Sequence, residues 1–479
     1  MKRKLLLLIG GMVITFLTAC TLAPKYTRPA APVPAGWPKG AAYQESKPAT
    51  GVPAASELNW QEFFPDERLR NIIATALNNN RDLRLASLNA ERARALYGIQ
   101  RAELLPAVNA VGGMSRQRAP ADLSTTGSAR TAERYDVNFG ISAWEIDFFG
   151  RIRSLKDRAL EEYLATDQAR RSAEILLVSS VATAYFALAA DRETLGLASS
   201  TFSSQEAAYR LIRKRYDVGL ASELDLRRSQ SQVEVARGDV ARYTQLAAQD
   251  ENALNLLVGS PLPVELLTAE LGNVIPPKEV SPGASSELLL QRPDVLTAEH
   301  RLKAANANIG AARAAFFPRI ALTTAIGTAS AELSGLFKSG SGAWSFAPQI
   351  ILPIFDARTW SAYDATKIDR EIAVAQYEKT IQTAFKEVAD ALAVQGTVNR
   401  QIAAQQSLVD ALAETYRLSH ARYTKGIDSY LIVLDAQRSV YAAQRGLTLL
   451  HLARLANQVT FYKVMGGGHV TESDGETPK

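Results

Sequence analysis

Cys20 has the most defined chemical setting of any residue in this chain. It ends the run Leu17-Thr18-Ala19-Cys20, with small residues just before the cysteine, behind a basic Lys2-Arg3-Lys4 and an apolar stretch from Leu5 to Thr18. That order is a secretory signal, 1–19, with its h-region. It is too short and too early to be a spanning helix, and its end resembles the bacterial lipobox. The chemistry expected is attachment of a diacylglyceryl group to the Cys20 sulfur and fatty acylation (palmitate) of the new N-terminus. One acyl chain alone binds membranes only marginally, so such an anchor needs company. Thr21 is not the aspartate associated with inner-membrane retention, which favours the outer membrane. Cys20 is also the only cysteine, so no disulfide within the chain and no cysteine-based metal site is available.

No second reactive constellation accompanies it. His300, His420, His451 and His469 show no metal-ligand spacing such as H-x-x-x-H, and His300 and His451 fall inside helical patterns. No G-x-S-x-G, phosphate-binding glycine loop or zincin motif is present. An enzyme, a metal site and a bound cofactor are therefore not expected. The 54 basic and 49 acidic side chains nearly balance, without a Lys/Arg block interleaved with aromatics, so nucleic-acid binding has no support. No later run of 18 or more apolar residues is expected to cross a membrane, which leaves any such crossing to β-strands.

Segments suited to that crossing come in pairs, 107–148 and 319–355. Tyr135, Val137, Phe139, Ile141 and Ala143 alternate with Asp136, Asn138, Gly140 and Ser142, one greasy face and one polar. Val108 to Arg118 alternates more weakly. Ile320, Leu322, Thr324 and Ile326 mark a third strand, and Trp344, Phe346, Ile350 and Leu352 a fourth. Aromatic residues gather at strand ends: Trp144, Phe148, Phe149, Phe316, Phe317, Phe355 and Trp360. Together with Trp344 they suggest an interfacial belt. Polar loops, 119–134 and 331–342, suit the cell exterior. Pro348 argues for a bulge or bend in its strand. Four strands cannot close a barrel, since the smallest use about eight, and an open edge in lipid leaves backbone groups unpaired. The chain must oligomerise; a dimer would supply eight strands and a trimer twelve.

Long helical stretches position those strands, and the two halves repeat. Asp82-Leu83 through Gly98, Arg101 and Pro106 lines up with Asp294-Val295 through Gly310, Arg313 and Pro318. Leu224-Asp225-Leu226-Arg227-Arg228-Ser229 likewise matches Leu434-Asp435-Ala436-Gln437-Arg438-Ser439. A period of roughly 210 residues exceeds any solenoid unit and indicates a duplicated half. After each strand pair comes a proline-free helical run of some 65 residues, roughly 100 Å long. Tyr377, Ile381, Ala384, Val388, Ala391 and Gln395 keep a coiled-coil beat, as do Ala169, Ala173, Leu176, Ser180 and Ala184. The long helices end at Val218-Gly219-Leu220 and Gly426-Ile427-Asp428. Shorter helices, about 66–105 and 285–317, are expected to stack end to end on the returning helices. Helical segments thus cover 58–106, 151–259, 285–317 and 358–465. An extended lipid-anchored segment, 20–57, precedes them, and 260–284 and 466–479 are linking region and tail.

With the lipobox, Leu288-Leu289-Leu290-Gln291-Arg292-Pro293-Asp294, Gly310-Ala311-Ala312-Arg313-Ala314-Ala315-Phe316-Phe317-Pro318 and Leu434-Asp435-Ala436-Gln437-Arg438-Ser439 in hand, the chain resembles the outer-membrane factor (TolC-like) family. Within it, the likeness is to the OprM-like lipoprotein branch. The resemblance implies an α+β membrane protein: a trimeric transmembrane β-barrel, four strands per chain, continued by a long periplasmic α-helical barrel of coiled coils. It implies an exit duct for a tripartite efflux pump, with a periplasmic membrane-fusion adaptor and an inner-membrane transporter of the resistance-nodulation-division type as partners. Drugs and other small toxic compounds would be the cargo, with type I protein secretion or metal-ion efflux as the alternatives. It further implies a periplasmic gate at Leu431, Asp435 and Arg438, with Tyr423 tying the inner coil to a neighbouring helix and Asp191 as its candidate partner. Leu431 and Asp435 are i and i+4 and share a helix face, and Arg438 at i+3 can brace a carboxylate. Val218, Gly219, Leu220, Gly426 and Ile427 would dock the adaptor.

Overall fold

In the computed structural model the described residues are 21–43, 58–125, 127–267, 270–281 and 285–467. The signal 1–19, Cys20 and the tail 468–479 lie outside them. Four strands, β1 (Val108–Ala119), β2 (Arg130–Ile146), β3 (Arg319–Ser330) and β4 (Gly342–Ile351), form one antiparallel sheet in that order. Among the described residues the α-helices longer than two turns are α1 (Glu67–Asn79), α2 (Arg81–Ala102), α3 (Arg151–Asp217), α4 (Glu223–Val258), α5 (Pro293–Ala314), α6 (Ala357–Thr424) and α7 (Tyr430–Val464). The chain divides into two units. One takes in the described residues up to Ala30 with Asn89–Asp167 and Thr297–Tyr377, and the other Ala31–Leu88, Gln168–Leu296 and the residues from Glu378 onward.

The first unit holds the sheet. Its register puts Val108, Ala110, Gly112 and Met114 beside Ile141, Phe139, Val137 and Tyr135. Ile326 and Thr324 follow on β3, and Trp344 and Phe346 on β4. Apolar side chains therefore share one face, while Asp136, Asn138, Gly140, Ala325, Gly327 and Ser345 share the other. The apolar face is uncovered in the single chain: Trp344 is 80% exposed, Ile326 69% and Phe139 60%. Two details differ from the alternation read above. Ala143 does not continue the greasy face, because β2 bulges between Ile141 and Trp144, where Ser142 and Ala143 oppose Thr323. Ala143 takes φ 51 and its N–H donates to the Thr323 hydroxyl at 3.1 Å, so Trp144 resumes the apolar row beside Leu322. Pro348, where the bulge was expected, pairs with Leu322 without a register shift. It lies on the outermost strand of this sheet, where a missing N–H is tolerated.

Each long helix starts behind an aspartate. Asp147 accepts the backbone N–H groups of Ile152 and Arg153, and Asp356 accepts that of Arg358, so side-chain oxygens satisfy first-turn donors that have no intrahelical partner. Aromatic packing secures the approach to the sheet: Phe149 stacks on Phe317 at 4.8 Å, and Phe316 meets Trp360 edge-on at 4.7 Å. The N-terminal segment is bound here too. Glu299, 2% exposed, accepts from Arg28 at 2.7 Å and from the Tyr26 hydroxyl at 3.1 Å, and Asn306 donates to the Pro24 carbonyl.

The second unit buries the helical core. Phe63, Phe64 and Tyr462 pack ring on ring at 4.2–6.4 Å, and Leu69, Ile72, Ile73 and Ala76 of α1 are fully buried. Each such large apolar side chain contributes about 1.5–3 kcal/mol. On α6, Tyr377 ends the first unit's share of the expected stripe, and Ile381, Ala384, Val388 and Ala391 continue it within the second, all buried. On α3 the stripe lies one residue later than expected: Leu177, Val178, Val181, Ala182, Tyr185 and Phe186 are buried while Leu176 is 55% exposed. This stretch also corrects the reading that no later run is apolar enough to span a bilayer, since α3 contains one by length and composition. More than half of that window is buried inside the protein, which is how a core helix passes the same test.

The short helices are each broken where one was expected to run through. Asn80, between α1 and α2, is extended (φ −63°, ψ 131°), accepts the Leu83 N–H, and donates to the Leu257 carbonyl at 2.8 Å. At the matching position of the repeat, Arg292 is extended before Pro293, which disfavours a helical residue ahead of it, and donates to the Val464 carbonyl at 2.6 Å. Leu257 and Val464 lie in the last turns of α4 and α7. In both copies, then, the residue that opens a short helix fastens it to the end of a returning one. Gly259, at φ 77°, closes the first joint; a Cβ there would sit 2.6 Å from the Asn79 carbonyl oxygen.

Candidate functional site

The hairpin between α3 and α4 and that between α6 and α7 are built alike. Gly219 and Gly426 take φ 76° and 72°. Their N–H groups donate to the carbonyls of Tyr216 and Tyr423, and those of Leu220 and Ile427 to Arg215 and Arg422. This double pattern closes a helix through a left-handed glycine and satisfies its last carbonyls. Val218, Leu220 and Ile427 are 58–71% exposed, and nothing lies within 4 Å of a Cβ built on either glycine. Both tips thus present exposed apolar side chains.

Just inside the tips, the second copy is cross-braced. Arg422 grips Asp428 with two hydrogen bonds of 2.6 and 3.0 Å, which hold the Asp428 carboxyl below the usual carboxylate range. Tyr423 ties α6 to α3, as expected, but its partner is not Asp191: the Arg215 guanidinium donates to its hydroxyl at 2.7 Å and lies over its ring. Asp191 lies 24 residues back along α3, roughly 36 Å at helical rise, where its carboxyl interacts with that of Asp250 on α4.

The expected gate residues stand together near the start of α7. Arg438 donates to Asp435 at 3.0 Å, an i,i+3 pair with both side chains more than half exposed. Leu431, one turn earlier, is 36% exposed. Between the charged pair sits Gln437, turned the opposite way: its amide oxygen accepts from Gln205 at 2.9 Å and its amide nitrogen donates to the Ser204 hydroxyl at 3.2 Å, both on α3. In the first copy the matching residue, Arg227, bonds to Glu223 and Gln230 of its own helix. The replacement of an exposed arginine by a neutral amide is the signal that could have picked out Gln437 beforehand.

The Asp191–Asp250 pair is a titrating contact the motifs did not point to. Burial, then the neighbouring Asp191 charge, raises the Asp250 carboxyl to about 6, and burial raises Asp191 as well. A carboxyl raised on folding binds its extra proton in the native state between its ordinary value and about 6, so the α3–α4 contact is tightest in acid and loosens as pH rises through that window. Asp250→Asn is expected to stabilise the helical region at pH 7 by on the order of 1 kcal/mol, allowing for solvent screening. The gain over the wild type should shrink by pH 5, read from thermal unfolding followed by circular dichroism; a gain equal at both pH values would rule the pair out.

At the sheet, the belt residues fall at two levels. Trp344 pairs with Ile326 towards the loop end, whereas Trp144, Phe148, Phe316, Phe317 and Phe355 lie at the helix end. Phe355 is 88% exposed and Phe148 about half. His300, inside α5, contacts Glu161 at 2.6 Å. Among the described residues, no cluster of three or more His, Cys, Asp or Glu side chains could hold a metal.

The chain is similar throughout to known outer-membrane proteins. A model of the family described as "Outer membrane efflux protein" matches residues 72–260 and 284–467. The toluene efflux pump outer membrane protein TtgF of Pseudomonas putida is 50% identical over 456 residues, covering 94% of this chain and 95% of that protein. A crystal structure of a membrane protein from Pseudomonas aeruginosa superposes with a TM-score of 0.87 at 42% identity, covering 94% of this chain and 98% of that one. The open state of the Neisseria gonorrhoeae MtrE outer membrane channel does so with 0.84 at 37% identity, covering 94% and 98%. Relatives of this kind are efflux proteins and not enzymes. By sequence and by fold, the chain belongs to the outer membrane efflux protein family.

Proposed function

We propose that this chain is the outer-membrane exit duct of a tripartite efflux pump, carrying drugs and organic solvents delivered by an inner-membrane transporter and a periplasmic adaptor. The observation that carries the reading is the sheet: four strands with one mainly apolar face left uncovered. In water such a face would be a liability; in lipid it is the outer wall of a barrel, provided the open edges of β1 and β4 are paired. Three chains joined edge to edge would supply twelve strands, and their helices the periplasmic tunnel. A lipid on Cys20 would add an anchor, with the contacts of Tyr26 and Arg28 on Glu299 fixing where the anchored segment begins.

Passage is controlled at α7. The Asp435–Arg438 pair and the Gln437 bridge to α3 hold the α6–α7 hairpin in place, Leu431 narrows the lumen, and adaptor contact at the exposed tips shifts the hairpin outward. Replacing Gly219 or Gly426 by valine puts a β-branched side chain into a left-handed position at a cost of about 1–2 kcal/mol and reshapes the docking tip. Oligomers are expected to form while export falls to the level of a strain lacking the protein; full export by both variants would exclude the tips as the docking point. The activity itself is tested by accumulation of toluene, a fluorescent dye and antibiotics in cells lacking this chain. Raised accumulation that reverses on complementation is expected. Unchanged accumulation in cells shown to express the protein would shift the cargo to secreted protein or metal ions.

A further inference from the structure

We infer that the outer rim of the sheet carries a binding site for phosphorylated headgroups of outer-leaflet lipid, built on Arg116 and Arg118. The inference rests on the reading of the sheet as a lipid-facing barrel wall. Strand register places both arginines on the apolar face, in line with Val108, Ala110, Gly112 and Met114. Across the β2, β3 and β4 positions of that face the only other charged residue is Glu133, directly opposite Arg116. All three therefore sit at the loop end, where the face turns from Met114 and Tyr135 to charge.

Height argues for the headgroup level. At about 3.3 Å per residue and a tilt near 40°, Arg116 and Arg118 lie roughly 20 and 25 Å above Val108. An outer-membrane apolar band is about 25 Å tall. An arginine on the lipid face is strongly unfavourable at mid-membrane and nearly cost-free at the interface, so these positions are tolerable only if they reach the headgroups. Tyr135, opposite Met114 and one same-face pair inward of Arg116, is a ring type that lies at that boundary.

Chemistry selects phosphate. Arg116 contacts Glu133 at 3.1 Å while remaining 65% exposed, which leaves guanidinium N–H groups facing outward. Arg118 is exposed and has no acidic partner among the described residues. Two planar donors, one edge-braced by a carboxylate and one free, suit the bidentate geometry of a phosphate monoester better than a zwitterionic surface. Each chain presents one net positive charge here, the sign that gathers anionic lipid.

The test uses the full-length protein in phosphatidylcholine vesicles doped with a bis-phosphorylated acylated disaccharide lipid, or with the same lipid stripped of its phosphates. Thermal dissociation of the oligomer is the readout, since a ligand held by the native state raises it. The phosphorylated lipid is expected to raise the wild-type midpoint. That shift should be absent with the stripped lipid, absent with inorganic phosphate at the same concentration, and lost in Arg116→Gln/Arg118→Gln. Arg118→Gln alone, which breaks no contact in the protein, should lose a large part of it and guards against a double variant that fails to assemble. An equal shift in wild type and variants, or with the stripped lipid, would overturn the site; a shift with inorganic phosphate alone would reassign it to a soluble anion. Quenching of tryptophan fluorescence by lipids brominated in the acyl chain separates the two readings. Quenching without a phosphate effect removes only this site, whereas no quenching removes the barrel wall itself.

Discussion

Asp435→Ala combined with Arg438→Ala is expected to raise the open population of the channel on the order of tenfold to a hundredfold in planar-bilayer recordings. The pair is exposed on both sides, so one copy is worth only about 0–1 kcal/mol. In the proposed trimer the leverage comes from repetition: three copies biasing one opening event would shift it by up to about 3 kcal/mol, and each 1.4 kcal/mol is a factor of ten. Gln437→Met, which keeps length and removes both hydrogen bonds to α3, should open the channel in the same direction and add to the effect of the charge pair. Wild-type conductance in the double alanine variant would place the gate elsewhere.

Arg292→Met is expected to destabilise the helical unit by about 3 kcal/mol. The guanidinium is 9% exposed and binds three partners: the Val464 carbonyl at 2.6 Å, Asp294 at 2.7 Å and Glu387 at 2.8 Å. Removing it leaves a buried carbonyl unpaired, about 1–3 kcal/mol, and strips two carboxylates of their counter-ion. Because Asp294 and Glu387 are each about two-fifths exposed, they rehydrate in part, which keeps the loss towards the lower end of about 3–5 kcal/mol for a broken buried pair. Arg292→Lys, with a charge but no fork, should recover less than half of it. Denaturant unfolding monitored at the helix signal reads both; a loss under about 1 kcal/mol for Arg292→Met would mean that the joint between α5 and α7 is held by packing alone.

The strands were the most legible part of this chain, because a sheet with one apolar and one polar face enforces a strict period of two. Tyr135 to Ile141 obeys it in the sheet as in the sequence. The bulge escaped because Ala143 and Trp144 are both apolar, and alternation cannot say which of two apolar neighbours is the inserted one. Pro348 advertised a distortion that an outer strand does not need. In α3 the alanine-rich run from Ala169 to Ala184 offers two small-residue stripes, and the bulk of Leu177, Val181, Tyr185 and Phe186 decides which is buried. The family resemblance set Tyr423 against a neighbouring helix, which is α3 through Arg215, but a motif match could not choose the partner along a helix of 67 residues. Arg215 won over Asp191 through its position at the hairpin tip. The lipid anchor at Cys20 is carried by sequence alone.

The most direct test of the duct is the mass of the protein extracted from outer membranes in mild detergent, determined by native mass spectrometry. Four strands per chain with two open edges require a closed ring, and a single species of three chains is expected. A monomer, or a dimer that still conducts, would contradict a twelve-stranded barrel shared by three copies.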